Sequence, residues 1–140
     1  MIKNKLIIFD LDGTLYKFTN DSFVNSGLQK KVLANAKNYI QKKLKQDQAQ
    51  AQKILREIQK EYGEDISIAL EKKYNCSRRD YFNEVWDISA KGIITSNANI
   101  RNILLSLREE NKLLLVSDGA MVWIMNVLRE LNMYIVIMYN

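Results

Sequence analysis

Two short apolar runs, Leu6-Ile7-Ile8-Phe9 near the start of the chain and Leu113-Leu114-Leu115-Val116 far downstream, each stop abruptly at a polar string. The first is followed by Asp10-Leu11-Asp12-Gly13-Thr14 and the second by Ser117-Asp118-Gly119. Continuous, partly β-branched runs of this length read as strands buried on both faces, as in a parallel sheet. The chain between them has helical patterning. Proline is absent from the whole sequence and glycine occurs 5 times, so little forces a helix to break.

The helical signals are specific. Val32, Leu33, Ala36, Tyr39, Ile40 and Leu44 recur at helical spacing, as do Ala51, Ile54, Leu55 and Ile58. Ile66, Ala69, Leu70 and Tyr74 form a third set, and Tyr81, Phe82, Val85 and Trp86 a fourth. Ser77 or Asp80 can cap the last of these, and Gly63 marks a helix end. The stretch 25–87 is therefore expected to be an insert of about four helices. Beyond it, Ile100 to Glu110 reads as an amphipathic helix and Asn111-Lys112 as a turn. After the second strand comes a helix with Met121, Val122, Ile124, Met125 and Leu128 on its apolar side. Tyr134 to Tyr139 is a third strand candidate. The order strand, helical insert, helix, strand, helix, strand predicts an α/β fold with parallel strands. Ligands of such sheets bind beyond the carboxyl ends of the strands, where both polar strings fall.

A length of 140 residues with 47% hydrophobic content suits one domain with a real core. The net charge of +5 favours acidic partners, phosphates among them, although lysines on solvated helix faces explain most of it. One cysteine, Cys76, permits no intrachain disulfide and suits a reducing cytoplasm. There is no histidine, which excludes a Cys-His dyad and makes a Cys/His zinc site implausible. Acid–base work must then fall to another residue type. The apolar run near the N-terminus is too short for a signal-peptide core or a membrane span, so the cytoplasm is the expected location.

The first polar string carries the chemistry. Residues two apart on a strand point to the same side, so Asp10 and Asp12 can reach one cavity. Two carboxylates in one pocket repel unless a cation or a shared proton compensates. Mg²⁺ is the natural ion, because it takes hard oxygen ligands and keeps its waters. Asp10 is placed to attack phosphorus and form an aspartyl-phosphate. Asp12 is placed to protonate the leaving oxygen and then to deprotonate a water. Gly13 allows the backbone close to a phosphate. A plainer explanation is a strand-end Asp pair capping a turn. Ser117 offers a hydroxyl for a phosphate oxygen at the end of the second strand, and the N–H groups of a helix start would add to it. Such strings are also common in ordinary turns and caps. Asp118 suits a phosphate only if its carboxylate faces away.

Trp86, Trp123, Tyr39, Tyr62, Tyr74 and Tyr81 could stack on a base, but their helical spacing favours the core for most. Lys30-Lys31, Lys42-Lys43, Lys72-Lys73 and Arg78-Arg79 come with no nucleic-acid-binding signature, so no nucleic acid is expected as a partner.

With these residues in view, the chain resembles the haloacid dehalogenase superfamily of phosphohydrolases. Phe9-Asp10-Leu11-Asp12-Gly13-Thr14-Leu15-Tyr16 looks like its first motif, which is highly specific. Leu114-Leu115-Val116-Ser117-Asp118-Gly119 looks like its second, which is less so. Within the superfamily the likeness is to the pyrimidine 5′-nucleotidase group, through Leu15-Tyr16, Glu61-Tyr62-Gly63, the stretch Tyr81 to Ile88 and the spacing to the second motif. The resemblance implies a partial Rossmann-like parallel sheet core, residues 1–20 and 95–140, with a helical cap at 21–94 inserted after the first strand. It implies Asp10 as nucleophile and metal ligand, and Asp12 as acid/base with its backbone carbonyl on Mg²⁺. It places Ser117, with Leu11 and Asp118 beside it, at the phosphate. The second motif of the family often has Asn where Asp118 stands. The later Lys and later acidic motif of the family would fall beyond residue 140, and the sheet strands beside the first one with them. Leu6–Phe9 is then expected at an open edge.

The expected function is a Mg²⁺-dependent phosphohydrolase acting on a small phosphorylated metabolite, with a nucleoside monophosphate as one candidate. The chain as given would be an incomplete or weakly active form. The alternative is a non-catalytic fragment of such an enzyme that binds a phosphate or a partner. A third reading, a basic helical module on nucleic acid, predicts salt-dependent polyanion binding.

Overall fold

The structure, a computed structural model, describes residues 5–134 and 137. Among them, in chain order, are β1 (Lys5–Phe9), β2 (Lys17–Phe18), α1 (Leu28–Leu44), α2 (Gln48–Tyr62), α3 (Ile66–Tyr74) and α4 (Arg78–Val85). There follow β3 (Ile94–Thr95), α5 (Ile100–Glu110), β4 (Asn111–Leu115) and α6 (Met121–Glu130). This is a mixed α/β chain. Its residues gather into two compact units: one holds the chain up to Gly27, Ser89–Gly119 and Trp123 onward, the other Leu28–Ile88 with Ala120–Val122. No helix among the described residues is long and apolar enough to cross a membrane.

In the α/β unit, β1 pairs with β4 in parallel, Ile7 opposite Leu113 and Phe9 opposite Leu115. The pairing continues one bond further, from the Val116 N–H to the Phe9 carbonyl at 3.0 Å. Both strands therefore end side by side, with Asp10 and Ser117 just beyond them. Among the described residues this parallel sheet has two strands, a smaller sheet than the predicted core. That size explains a difference in burial. The row of Ile7 and Leu113 turns toward the core, and Leu113 is buried. The opposite row is open: Leu6 and Ile8 are 57% and 60% exposed, and Leu114 and Val116 are exposed beside them. The expected fully buried strand is thus buried on one face only, because alternate side chains point to opposite sides.

Two further expectations are corrected. Asn111 and Lys112 are the first residues of β4, paired with Lys5 and Leu6, and not a turn. The third strand candidate, Tyr134 to Tyr139, lies largely outside the described residues, but Tyr134 and Ile137 are helical. The Ile137 N–H closes an i to i−4 bond to the Met133 carbonyl at 3.2 Å, and both side chains are buried. At Ile137 the strand propensity of a β-branched side chain yields to this helical bond and to burial.

β2 and β3 form a separate antiparallel pair, Lys17 opposite Thr95 and Phe18 opposite Ile94. Thr19 extends it through its N–H and its hydroxyl, both bonded to the Ile93 carbonyl. This pair joins the two points where the chain leaves for, and returns from, the helical stretch.

The helical unit follows its apolar stripes. α1 buries Val32, Ala36, Tyr39 and Ile40, and α2 buries Ala51, Ile54, Leu55 and Ile58. α1 packs on α2 and α4, and α3 on α2 and α4. Asp47 caps α2 by accepting from the Gln50 N–H, and Ser77 caps α4 by accepting from the Asp80 N–H. Gly63 ends α2 at φ +61°, a left-handed value that glycine adopts without strain. The Tyr39 and Tyr81 rings meet edge-to-face at 5.4 Å. Lys42 and Lys43 pair with Glu84 and Asp80, and Lys73 with Glu61, all at the surface.

Candidate functional site

The first polar string forms a tight turn beyond β1. The Leu11 carbonyl accepts from the Thr14 N–H at 3.2 Å and from the Leu15 N–H at 3.0 Å. Gly13 sits at φ +77°, the left-handed region that the turn requires and glycine supplies freely. Leu11, Leu15 and Tyr16 are buried and anchor the turn in the core, while Gly13 and Thr14 stay exposed. The apolar positions of the string thus fix its polar ones. Asp10 is exposed at the strand end and Asp12 is half-buried.

Asp12 is held from within. Tyr16 donates its hydroxyl hydrogen to Asp12 Oδ1. The same hydroxyl oxygen accepts from Trp123 Nε1 at 3.4 Å, a bond between buried side chains 107 residues apart in sequence. The ring of Tyr16 packs edge-on against Phe18 at 5.3 Å, and Phe18 against Phe23 at 6.0 Å. Burial pushes the Tyr16 hydroxyl pKa far up, and its bond to Asp12 pushes it further, with the charge of Asp10 acting the same way. The hydroxyl is therefore a permanent donor at ordinary pH.

The second polar string closes toward the first. The Gly119 N–H donates to Ser117 Oγ at 3.1 Å, folding the string back on itself. A Cβ placed on Gly119 would stand 3.2 Å from Ser117 Oγ and 3.9 Å from Asp12 Oδ2. The Ser117 hydroxyl and the second oxygen of the Asp12 carboxylate thus both lie next to Gly119. Asp118 is exposed. The Leu11 side chain is fully buried and its carbonyl is used by the turn, so its backbone N–H is the group that could meet a ligand.

Beside the turn lies a cleft of about 160 Å³, lined by residues 13–17 on one side and by Thr95, Ser96, Asn97 and Ile100 on the other. Sequence reading had no signal for those last residues, which the β2–β3 pairing brings opposite the turn. Tyr16 and Trp123 were also missed as site residues. Tyr16 stands four places after Asp12, and a buried tyrosine there could have been suspected. Nothing in the sequence links it to Trp123.

Fold and site together define a mixed α/β chain with an acidic turn at the carboxyl ends of two parallel strands. No family model, curated protein or solved structure matches the chain.

Proposed function

We propose that the chain is a phosphohydrolase of the haloacid dehalogenase type, acting on a small phosphomonoester through an aspartyl-phosphate. One observation carries this reading: the Asp10-Leu11-Asp12 turn and Ser117 stand at the adjacent ends of two parallel strands, and the Asp12 carboxylate and Ser117 hydroxyl converge on Gly119. A nucleophile, an acid/base and a phosphate-binding hydroxyl on one rim are what phosphoryl transfer to a carboxylate needs.

The steps follow from those positions. A carboxylate oxygen of Asp10 attacks phosphorus, and the ester P–O bond breaks with its electron pair leaving on the alcohol oxygen. Asp12 delivers a proton to that oxygen. Water then attacks the phosphorus of the aspartyl-phosphate, Asp12 removes its proton, and the Asp10 carboxylate is regenerated. The Ser117 hydroxyl and the Leu11 N–H hold phosphate oxygens throughout. The cleft beside the turn gives room for part of a small leaving group. A nucleoside monophosphate is the candidate that the resemblance to the pyrimidine 5′-nucleotidase group favours.

The donor set suits Mg²⁺. This ion is usually held by one or two carboxylates, waters and substrate phosphate oxygens rather than by an all-protein cage. The Asp10 carboxylate and the Asp12 backbone carbonyl would hold the ion, which leaves the Asp12 carboxyl for proton transfer, and no group of three or more His, Cys, Asp or Glu able to hold a metal occurs among the described residues. When bound there, Mg²⁺ supplies charge neutralisation between the carboxylates and the incoming phosphate.

The test is hydrolysis of p-nitrophenyl phosphate with Mg²⁺, comparing wild type with Asp10→Asn. Loss of turnover in the variant is expected. Equal rates would remove Asp10 as nucleophile. Binding of inorganic phosphate without any turnover would support the non-catalytic reading instead.

A further inference from the structure

We infer that Tyr16 is a positioning residue that divides the labour between the two oxygens of Asp12. Oδ1 is pinned by the Tyr16 hydroxyl, and Oδ2 is left as the proton-transfer atom toward Ser117. This rests on the phosphohydrolase reading above and deepens it.

Two observations combine. The Tyr16 hydroxyl bonds Oδ1, whereas Oδ2 is the Asp12 oxygen that lies 3.9 Å from the Cβ position of Gly119, on the Ser117 side. A carboxylate rotates about its last bond, and a bond to one oxygen fixes where the other points. Second, Tyr16 cannot drift. Its ring is buried and clamped by Phe18, and its oxygen accepts from Trp123 Nε1 at 3.4 Å. The two sides of the hydroxyl are thus both used: it receives from Trp123 and gives to Asp12, so its hydrogen is directed at the carboxylate.

A buried tyrosine needs a partner for its O–H in any fold, so simple satisfaction of Tyr16 is the competing explanation. The two differ in what the hydroxyl does for turnover. Tyr16→Phe keeps the ring, its burial and its contact with Phe18, and removes only the oxygen. With p-nitrophenyl phosphate and Mg²⁺, kcat is expected to fall roughly ten- to hundredfold with KM little changed, the scale at which small misplacements of a reacting group act. Adding Tyr16→Phe to Asp12→Asn should slow the enzyme no further, because the hydroxyl acts through Asp12 alone. An unchanged kcat in Tyr16→Phe, or losses that multiply in the double variant, would overturn the inference.

A second readout is independent of activity. In protein labelled with ¹³C at tyrosine Cζ, the Tyr16 resonance is assigned by its disappearance in Tyr16→Phe. It is expected to shift in Asp12→Asn and to hold nearer its place in Asp10→Asn. No shift in Asp12→Asn would refute the hydroxyl–carboxylate bond whatever the rates. A clear shift in Asp12→Asn, with no turnover by the wild type, would uphold the bond and reject the hydrolase reading.

Discussion

Asp12 and Ser117 both stand beside Gly119. The position of a Gly119 Cβ lies 3.2 Å from the Ser117 hydroxyl and 3.9 Å from the Asp12 carboxylate. Gly119 does not have a left-handed φ, so alanine would meet no backbone strain there. Gly119→Ala should therefore leave stability within about 1 kcal/mol of wild type, as for a glycine replaced at a compatible conformation. The added methyl must push Ser117 Oγ by a few tenths of an ångström. Phosphatase turnover, measured beside a urea titration, should fall several-fold while the unfolding midpoint hardly moves. An unchanged rate would mean that the hydroxyl is not at the reacting phosphate.

The turn is expected to depend on its buried anchors far more than β1 depends on its open face. Leu11 is fully buried, and Leu11→Ala should cost about 2–5 kcal/mol, the range for a leucine truncated in a packed core. Ile8 is 60% exposed, and Ile8→Thr should stay within about 0.5 kcal/mol, as surface changes usually do. Denaturant unfolding of the two variants checks the contrast. Ile8→Thr should also reduce self-association, since it breaks an exposed apolar row on a short sheet.

The helical unit carries an alkaline limit. Burial, first, and the nearby Cys76, Asp80 and Glu84 push the Tyr39 hydroxyl from its ordinary value of 10.0 up to about 12. A raised value in the folded state favours the protonated form there. Its contribution is complete below pH 10.0 and is lost as pH rises toward about 12, where the unfolded chain gains by ionising. Tyr39→Phe has no proton to lose and should flatten the fall of thermal stability over that window. A variant as alkali-sensitive as wild type would assign the effect to other tyrosines, Tyr81 and Tyr16 being raised as well.

Much of the fold was legible because its signals are local. The periodic sets beginning at Val32, Ala51, Ile66 and Tyr81 became α1 to α4, and Ser77 and Gly63 became the caps their chemistry suggested. Ile100 to Glu110 is α5. What failed was non-local. Burial of β1 depends on how many strands and helices cover it, which Leu6-Ile7-Ile8-Phe9 does not encode. The strand propensity of the run around Ile135 yielded at Ile137 to a helical bond with Met133. At the site, the carboxylates and Ser117 could be named from their strings, because each follows an apolar strand. The Tyr16–Trp123 contact and the 95–97 wall of the cleft arise from pairings distant in sequence, and no spacing rule reports them.

In the proposed reaction phosphorus becomes bonded to Asp10. Protein incubated with p-nitrophenyl phosphate and Mg²⁺, quenched in acid and reduced with borohydride, converts an aspartyl-phosphate to homoserine, which peptide mass spectrometry locates. Homoserine at position 10 is expected when substrate was present, and none without substrate or in Asp10→Asn. Phosphate release with Asp10 recovered unmodified, or homoserine at another aspartate, would contradict it.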